Sequence, residues 1–136
     1  MARIFWDTNP YIYLFEHNQQ YSAAVAQMRL TMLEREDELV TSSMTVGEIQ
    51  VKGLKEGRPD IAAELRDRVQ RSSTILPFDQ RAADAYALIR ASTNVKGPDA
   101  IQLASASAYG VDSFMTNDTQ LLKLRIPGIG EIKVWK

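Results

Sequence analysis

Five short apolar runs, separated by helix-length stretches, constrain this chain more than any other feature. Arg3–Trp6, Leu39–Ser42, Thr74–Phe78, Ser113–Thr116 and Lys133–Trp135 are brief and mostly rich in β-branched or aromatic residues, the pattern of buried strands. Between them, Gln20–Glu36 carries Ala24, Val25, Met28, Met32 and Leu33 at helical spacing. Thr45–Glu56 and Ile61–Arg71 are two further helical stretches, split by the breaker Gly57-Arg58-Pro59. Gln80–Ser92 and Pro98–Tyr109 follow, and Gly110 suits the C-cap of the second. Strands alternating with helices predict an α/β fold with a parallel sheet, and right-handed crossovers put helices on both of its faces.

At 136 residues the chain has the size of one domain. No Gly/Ser-rich linker or repeat divides it, so residues 1–136 are expected to form a single unit. No apolar run approaches the ~18 residues of a membrane span. The opening MARIFWDTNP lacks the apolar region and cleavage site of a signal peptide, so a cytoplasmic location and no membrane partner are expected. Without cysteine, thiolate metal sites, thiol catalysis and disulfides are excluded. The single histidine, His17, excludes mechanisms that need two imidazoles; it has no evident base partner and reads as a helix-end residue. What remains for chemistry is mainly 17 carboxylates, with hydroxyls and amides. A net charge of −1 gives no overall basic excess. The charge is uneven, however: Glu34-Arg35-Glu36-Asp37-Glu38 is acidic, while Lys52, Lys55, Arg58, Arg66, Arg68 and Arg71 make the next stretch basic. That stretch reads either as a solvated helix face or as a local phosphate-binding strip.

In open α/β sheets, ligands bind beyond the carboxyl ends of the strands. Asp7 follows the first run and Asp118 follows the fourth, and both face one crevice if those strands are neighbours. Glu48 falls in the first turn of the helix after the second strand, and Asp99 in the first turn of the helix at Pro98. Each acid also has a structural reading. Thr45-Val46-Gly47-Glu48 fits a capping box. Asp99 suits a helix dipole. Asp118 can cap a short Thr119–Leu124 helix, and Asp7 or Asn9 a helix starting at Pro10. Asp79 reads most simply as the cap of the helix at Gln80, and Asp84 as a surface residue. Jointly, four acids on one sheet edge would repel one another and raise their pKa values. A bound divalent cation relieves that, and all-oxygen ligands select a hard ion, Mg²⁺ or Mn²⁺. Such a metal suits phosphoryl chemistry.

The stretches IFWDTNPYIYLFE, SSMTVGEIQ and KGPDAIQLASASAYGVDSFMTND, with the closing strand, resemble a PIN domain in order and spacing over essentially the whole chain. Within that family the chain looks most like the VapC-like toxin ribonucleases of toxin–antitoxin pairs. The resemblance implies a central parallel sheet in the order 3-2-1-4-5 and an endoribonuclease dependent on Mg²⁺ or Mn²⁺. It implies that Asp7, Glu48, Asp99 and Asp118 are the catalytic carboxylates. Asp7 and Asp99 would be metal ligands, with Glu48 and Asp118 acting directly or through water. Asn9 and Thr116 match polar residues that line the same pocket, and Lys52, Lys96 and Lys123 lie near its edge in sequence. An RNA substrate, a small antitoxin partner and a homodimer are implied as well. One departure is Leu121, where many members carry Phe; it reads as a core substitution.

Other functions remain open at this stage. The same fold can serve as a binding module for RNA or protein without catalysis. A DNA nuclease would use the same acids. An aspartyl-nucleophile phosphatase would carry Asp-x-Asp after the first strand, and here the third residue is Asn9. Tyr11, Ile12, Leu14 and Phe15 form a dense apolar segment that reads as core, or alternatively as a dimer or partner surface.

Overall fold

The computed structural model describes residues 1–135; Lys136, the last residue of the expected domain, lies outside the described residues. The elements run β1 (Arg3–Trp6), α1 (Thr8–Phe15), α2 (Ser22–Glu34), β2 (Glu38–Ser42), α3 (Ser43–Lys55), α4 (Pro59–Ser72) and β3 (Thr74–Leu76). They continue with α5 (Gln80–Ser92), α6 (Gly97–Tyr109), β4 (Val111–Thr116), a 3₁₀ turn (Thr119–Lys123) and β5 (Ile129–Val134). All strand pairs are parallel and the order is β3-β2-β1-β4-β5, as the resemblance implied.

The period of two along each strand divides the core between two faces. Phe5 pairs in register with Val40 on one side and Phe114 on the other, and the two Phe rings stack with centroids 4.8 Å apart. This face is covered by α5 and α6 through Ile89, Leu103 and Ala104. Leu121 is buried in the same cluster, the core role expected of it. The neighbouring positions Trp6 and Leu39 belong to the opposite face, where α1 to α4 bring Tyr11, Val25, Met32, Ile49 and Val69. Burying one such large side chain contributes roughly 1.5–3 kcal/mol. The central strand is accordingly apolar at consecutive positions, Ile4, Phe5 and Trp6, as a strand covered on both sides requires. No helix among the described residues is long and apolar enough to cross a membrane.

Several boundaries differ from the sequence reading, each for a local reason. β3 stops at Leu76, short of the expected Phe78, because Pro77 has no N–H to continue the ladder. β5 begins at Ile129 instead of Lys133. Gly128 and Gly130 look like loop residues in the sequence, yet a Cβ at Gly130 would lie 2.5 Å from the Asp112 carbonyl oxygen, so the β4–β5 approach needs glycine there. β4 gains Val111 and Asp112, whose Oδ2 accepts a hydrogen bond from the Arg3 backbone N–H at 2.7 Å. α2 begins at Ser22 because Asn18 Oδ1 accepts from the Gln20 and Tyr21 backbone N–H groups and turns the chain. Gly110 caps α6 at φ 80°, as expected of it.

Candidate active site

The carboxyl edge of the sheet is where the acids meet. β1 and β4 are adjacent, so their ends deliver Asp7 and the Thr116–Asp118 segment side by side. The N-termini of α1, α3 and α6 open on the same edge, with Asp99 in the first turn of α6. Helix N-termini favour negative charge and so partly offset the repulsion among the acids. Asp7, Asn9, Glu48 and Asp99 line one cleft of about 320 Å³. A second cleft of about 490 Å³ adjoins it and is lined by Asp99, Asp118, Lys96 and Lys123. Asp99 stands at the junction of the two.

Asp7 is the most perturbed acid. Its pKa is pushed up from 3.8 to about 7, first by burial, then by the neighbouring charges of Asp99, Glu48 and Asp118. Only the nearby Asn9 backbone N–H works in the other direction. One oxygen, Oδ1, is buried without a hydrogen-bond partner. Asp7 is positioned as the N-cap of α1, which begins at Thr8, two residues before the expected start, yet its side chain makes no capping hydrogen bond. The capping explanation therefore fails for this residue. The Asp99 carboxyl is also raised, by burial and by Asp118 and Glu48. Asp118 does cap, accepting from the Gln120 N–H at 3.0 Å.

The capping-box reading of Glu48 is overturned. Ser42 is the N-cap of α3 and accepts from the Met44 N–H at 3.2 Å, so α3 starts at Ser43 and Glu48 lies in its second turn. The Thr45 hydroxyl is not free to cap, because it is buried in a polar network that supports the acids. Gln102 Nε2 donates to Thr45 Oγ1 at 2.9 Å and to Thr8 Oγ1 at 3.3 Å. Thr8 in turn donates to Glu48 Oε1 at 2.5 Å. The Ser42 hydroxyl donates to Gln102 Oε1, and Thr41 Oγ1 donates to the Trp6 carbonyl at 2.7 Å and lies 2.8 Å from Thr45 Oγ1. Thr8, Thr41, Ser42, Thr45 and Gln102 are all buried. Sequence reasoning missed this network. The available signal was Gln102, three residues after Asp99 and so on the same stripe of α6.

The remaining candidates divide. Asn9 is exposed in the carboxylate cleft. Thr116 is buried and its Oγ1 accepts from the Asp118 backbone N–H at 3.0 Å, so it positions Asp118. Lys96 and Lys123 stand beside Asp99 and Asp118. Lys52 is engaged by another acid: its Nζ lies 2.9 Å from Glu16 Oε1, in a neighbouring groove that Glu48 also lines. Asp79 caps α5, accepting from the Ala82 N–H at 3.1 Å, and Asp84 is exposed. His17 lies in the turn after α1, at φ 52°.

No three His, Asp or Glu side chains among the described residues stand close enough, as they lie, to ligate one ion in common. Ions such as Mg²⁺ keep several waters and take one or two protein carboxylates directly, so a full protein cage is not what this edge would supply. Its chemistry is that of a buried, partnerless carboxylate oxygen beside three further acids.

A family model for the PIN domain matches residues 4–127. No curated protein matches the chain. Among solved structures, the chain is similar to VapBC2 from Rickettsia felis bound to a DNA fragment from its promoter, at 19% identity and a TM-score of 0.73, covering 98% of this chain and 99% of that one. It is also similar to DNA-bound VapBC from Salmonella typhimurium, at 23% identity and a TM-score of 0.75 over 100% of both chains. A toxin–antitoxin complex from Klebsiella pneumoniae matches at 24% identity and a TM-score of 0.65, over 93% and 94% of the two chains. At these identities the likeness concerns the fold.

Proposed function

The chain belongs to the PIN-domain family, and on that premise we propose that it is a divalent-metal-dependent endoribonuclease, the toxin of a toxin–antitoxin pair. The observation that carries this reading is Asp7. Its Oδ1 is buried without a partner and its carboxyl is raised by burial and by three other acids. A cation at that edge would supply the missing partner and relieve the repulsion, so the residues fit Mg²⁺ or Mn²⁺. Asp7 and Asp99 would hold the ion, with Glu48 and Asp118 directly or through water. When bound, such an ion lowers the pKa of an attacking water and stabilises the leaving oxygen of a phosphodiester.

The chain's own residues do the rest. The Thr8–Gln102–Thr45 network holds Glu48 in one rotamer facing the cleft. Thr116 fixes the backbone that presents Asp118. Lys96 and Lys123 give cationic contacts beside the acids, where RNA phosphates would lie. Asn9 offers an amide at the cleft mouth. A small antitoxin as partner is supported by the toxin–antitoxin complex among the similar structures. A second copy of the chain and a cytoplasmic setting belong to the same reading.

The test is cleavage of mixed cellular RNA by purified protein in EDTA, Mg²⁺ and Mn²⁺, beside Asp99→Asn prepared identically. Cleavage that needs metal and disappears in a folded Asp99→Asn protein supports the reading. Retained cleavage in that variant would sink it.

A further inference from the structure

The larger cleft beside the carboxylates, about 490 Å³, falls within the roughly 300–1,000 Å³ of small-ligand pockets. Val95, Leu121 and Leu124 give it an apolar wall that packs on the core beneath. The turn between α5 and α6 brings Asn94 and Lys96 to it, and the 3₁₀ turn after β4 brings Gln120 and Lys123. Both turns are held by other residues. Thr93 Oγ1 donates to the Ile89 carbonyl at 2.7 Å and accepts from the Val95 N–H at 3.2 Å, while Asp118 caps the 3₁₀ turn. Asparagine commonly serves a turn through a left-handed backbone or an Asx hydrogen bond. Asn94 has no positive φ, and it is Thr93 that accepts the turn's N–H, so the turn does not call for an amide here. Among the described residues, neither the Asn94 nor the Gln120 side chain makes a hydrogen bond, and neither Lys96 nor Lys123 enters an ion pair, although Asp99 and Asp118 line the same cleft.

We propose that this cleft is a base subsite: it takes the unpaired nucleobase next to the scissile phosphate of RNA, and Asn94 and Gln120 read the edge of that base. The inference rests on the nuclease reading for its reaction and on the cleft itself for its ligand. Carboxylates and a metal act on the phosphodiester of any sequence, so selectivity has to come from groups beside them. Phosphate contacts fix position, whereas contacts to base edges specify. A lysine ammonium is a point charge that holds a phosphate without distinguishing one base from another. An amide carries one donor group and one acceptor, the complement of the donor and acceptor pairs on a base edge. In single-stranded RNA those edges are free to be read. The base ring is flat and uncharged, so it can lie on the apolar wall close to Asp99 and Asp118, where an acidic side chain would be repelled. Asp99 lines both clefts, so a base in the larger one leaves its phosphate at their junction, with the lysines on one side and the carboxylate cleft on the other.

The test uses the whole protein in EDTA and side-chain amide NMR. The probes are the four ribonucleoside 5′-monophosphates, with ribose 5-phosphate as the control that lacks a base. The nucleotides are expected to move the Asn94 and Gln120 side-chain signals saturably, and ribose 5-phosphate is not. The best base should bind about five-fold or more tightly than the worst, the lower end of what one bidentate amide–base pair discriminates. Asn94 and Gln120 are exposed, so Asn94→Ala and Gln120→Ala should fold as wild type does, and each should narrow that spread. Lys96→Ala should instead weaken all four nucleotides alike. With Mg²⁺ and mixed RNA, the two amide variants should change which base stands next to the cut. Unmoved amide signals, equal movement by ribose 5-phosphate, or equal binding of the four nucleotides overturns the base subsite. Cleavage with the same base preference in wild type and both variants overturns it too, and leaves the nuclease reading standing. Selective nucleotide binding by a protein that cuts no RNA counts against the nuclease reading and keeps the base site.

Discussion

Asn in place of Asp7 should stabilise the metal-free protein, and the size of the effect should depend on pH in a fixed sense. A carboxyl whose pKa rises on folding holds its proton more tightly in the folded chain than in the unfolded one. Its contribution to stability is therefore intact below the unfolded value and is lost as pH rises through the folded value. For Asp7 the window runs from 3.8 to about 7. At about 1.4 kcal/mol per unit, that rise corresponds to roughly 4 kcal/mol lost by neutral pH. Asn keeps the shape and removes the charge, so the variant escapes the loss. Any fixed cost of placing an amide at this site shifts the comparison equally at every pH and cancels. The measured quantity is the difference in urea-unfolding free energy between Asp7→Asn and wild type, in EDTA, near pH 4 and near pH 8. The variant should gain on wild type between those two conditions by about 2–4 kcal/mol, the upper figure being the full shift. A gap that stays constant with pH, or one that closes towards pH 8, would refute the burial and repulsion assigned to Asp7.

Three further outcomes concern the same site and a fourth the core beneath it. Mg²⁺ or Mn²⁺ should raise the melting temperature of wild type near pH 8, do so far less near pH 4, and fail to do so in Asp7→Asn, because the ion stabilises only a folded, ionised site; calorimetry at both pH values checks this. Gln102→Leu should cost about 2–4 kcal/mol in urea unfolding, since it strips Thr8, Thr45 and Ser42 of partners at once. Lys96→Ala should weaken RNA binding and reduce the salt slope by about 1, whereas Lys52→Ala, whose amine is held by Glu16, should leave both near wild type; filter binding across a salt series separates them. Phe5→Ala should cost about 3–5 kcal/mol, because it opens a cavity beside the stacked Phe114 ring in the middle of the sheet.

The alternation of apolar runs and helical stretches made the element order legible, because a buried parallel strand leaves a short β-branched or aromatic signature that nothing on its two neighbours can mask. Asp7 and Asp118 could be placed together for the same reason: each directly follows such a run. What was not legible lay in contacts between distant segments. The capping box offered as the structural alternative for Glu48 rests on Thr45 three residues before it, and the approach of Gln102 and Thr8 shows that the Thr45 hydroxyl is already engaged. The start of β5 at Ile129, ahead of the expected Lys133, was hidden because the need for glycine at Gly128 and Gly130 arises from the Ser107 and Asp112 backbones across the fold.

The capping geometry at the end of β1 supplies the strongest physical argument that the acid at position 7 serves more than the fold. A helix N-cap is filled equally well by Asn or Ser, without charge. Here the side chain caps nothing, sits with an unpartnered oxygen, and faces Asp99, Glu48 and Asp118. For stability alone a carboxylate is the poorer choice, by up to the several kcal/mol of its raised pKa. The same carboxylate becomes the better choice once a cation or a transferable proton occupies the edge. A neighbouring cap sharpens the contrast: Asp79 accepts from the Ala82 N–H, is lowered in pKa by the Tyr109 hydroxyl and that N–H, and needs no ligand to account for it. Asp7 and Asp79 occupy the same formal position at the starts of two helices. Only the acid at the carboxyl end of the central strand is held where its charge works against folding.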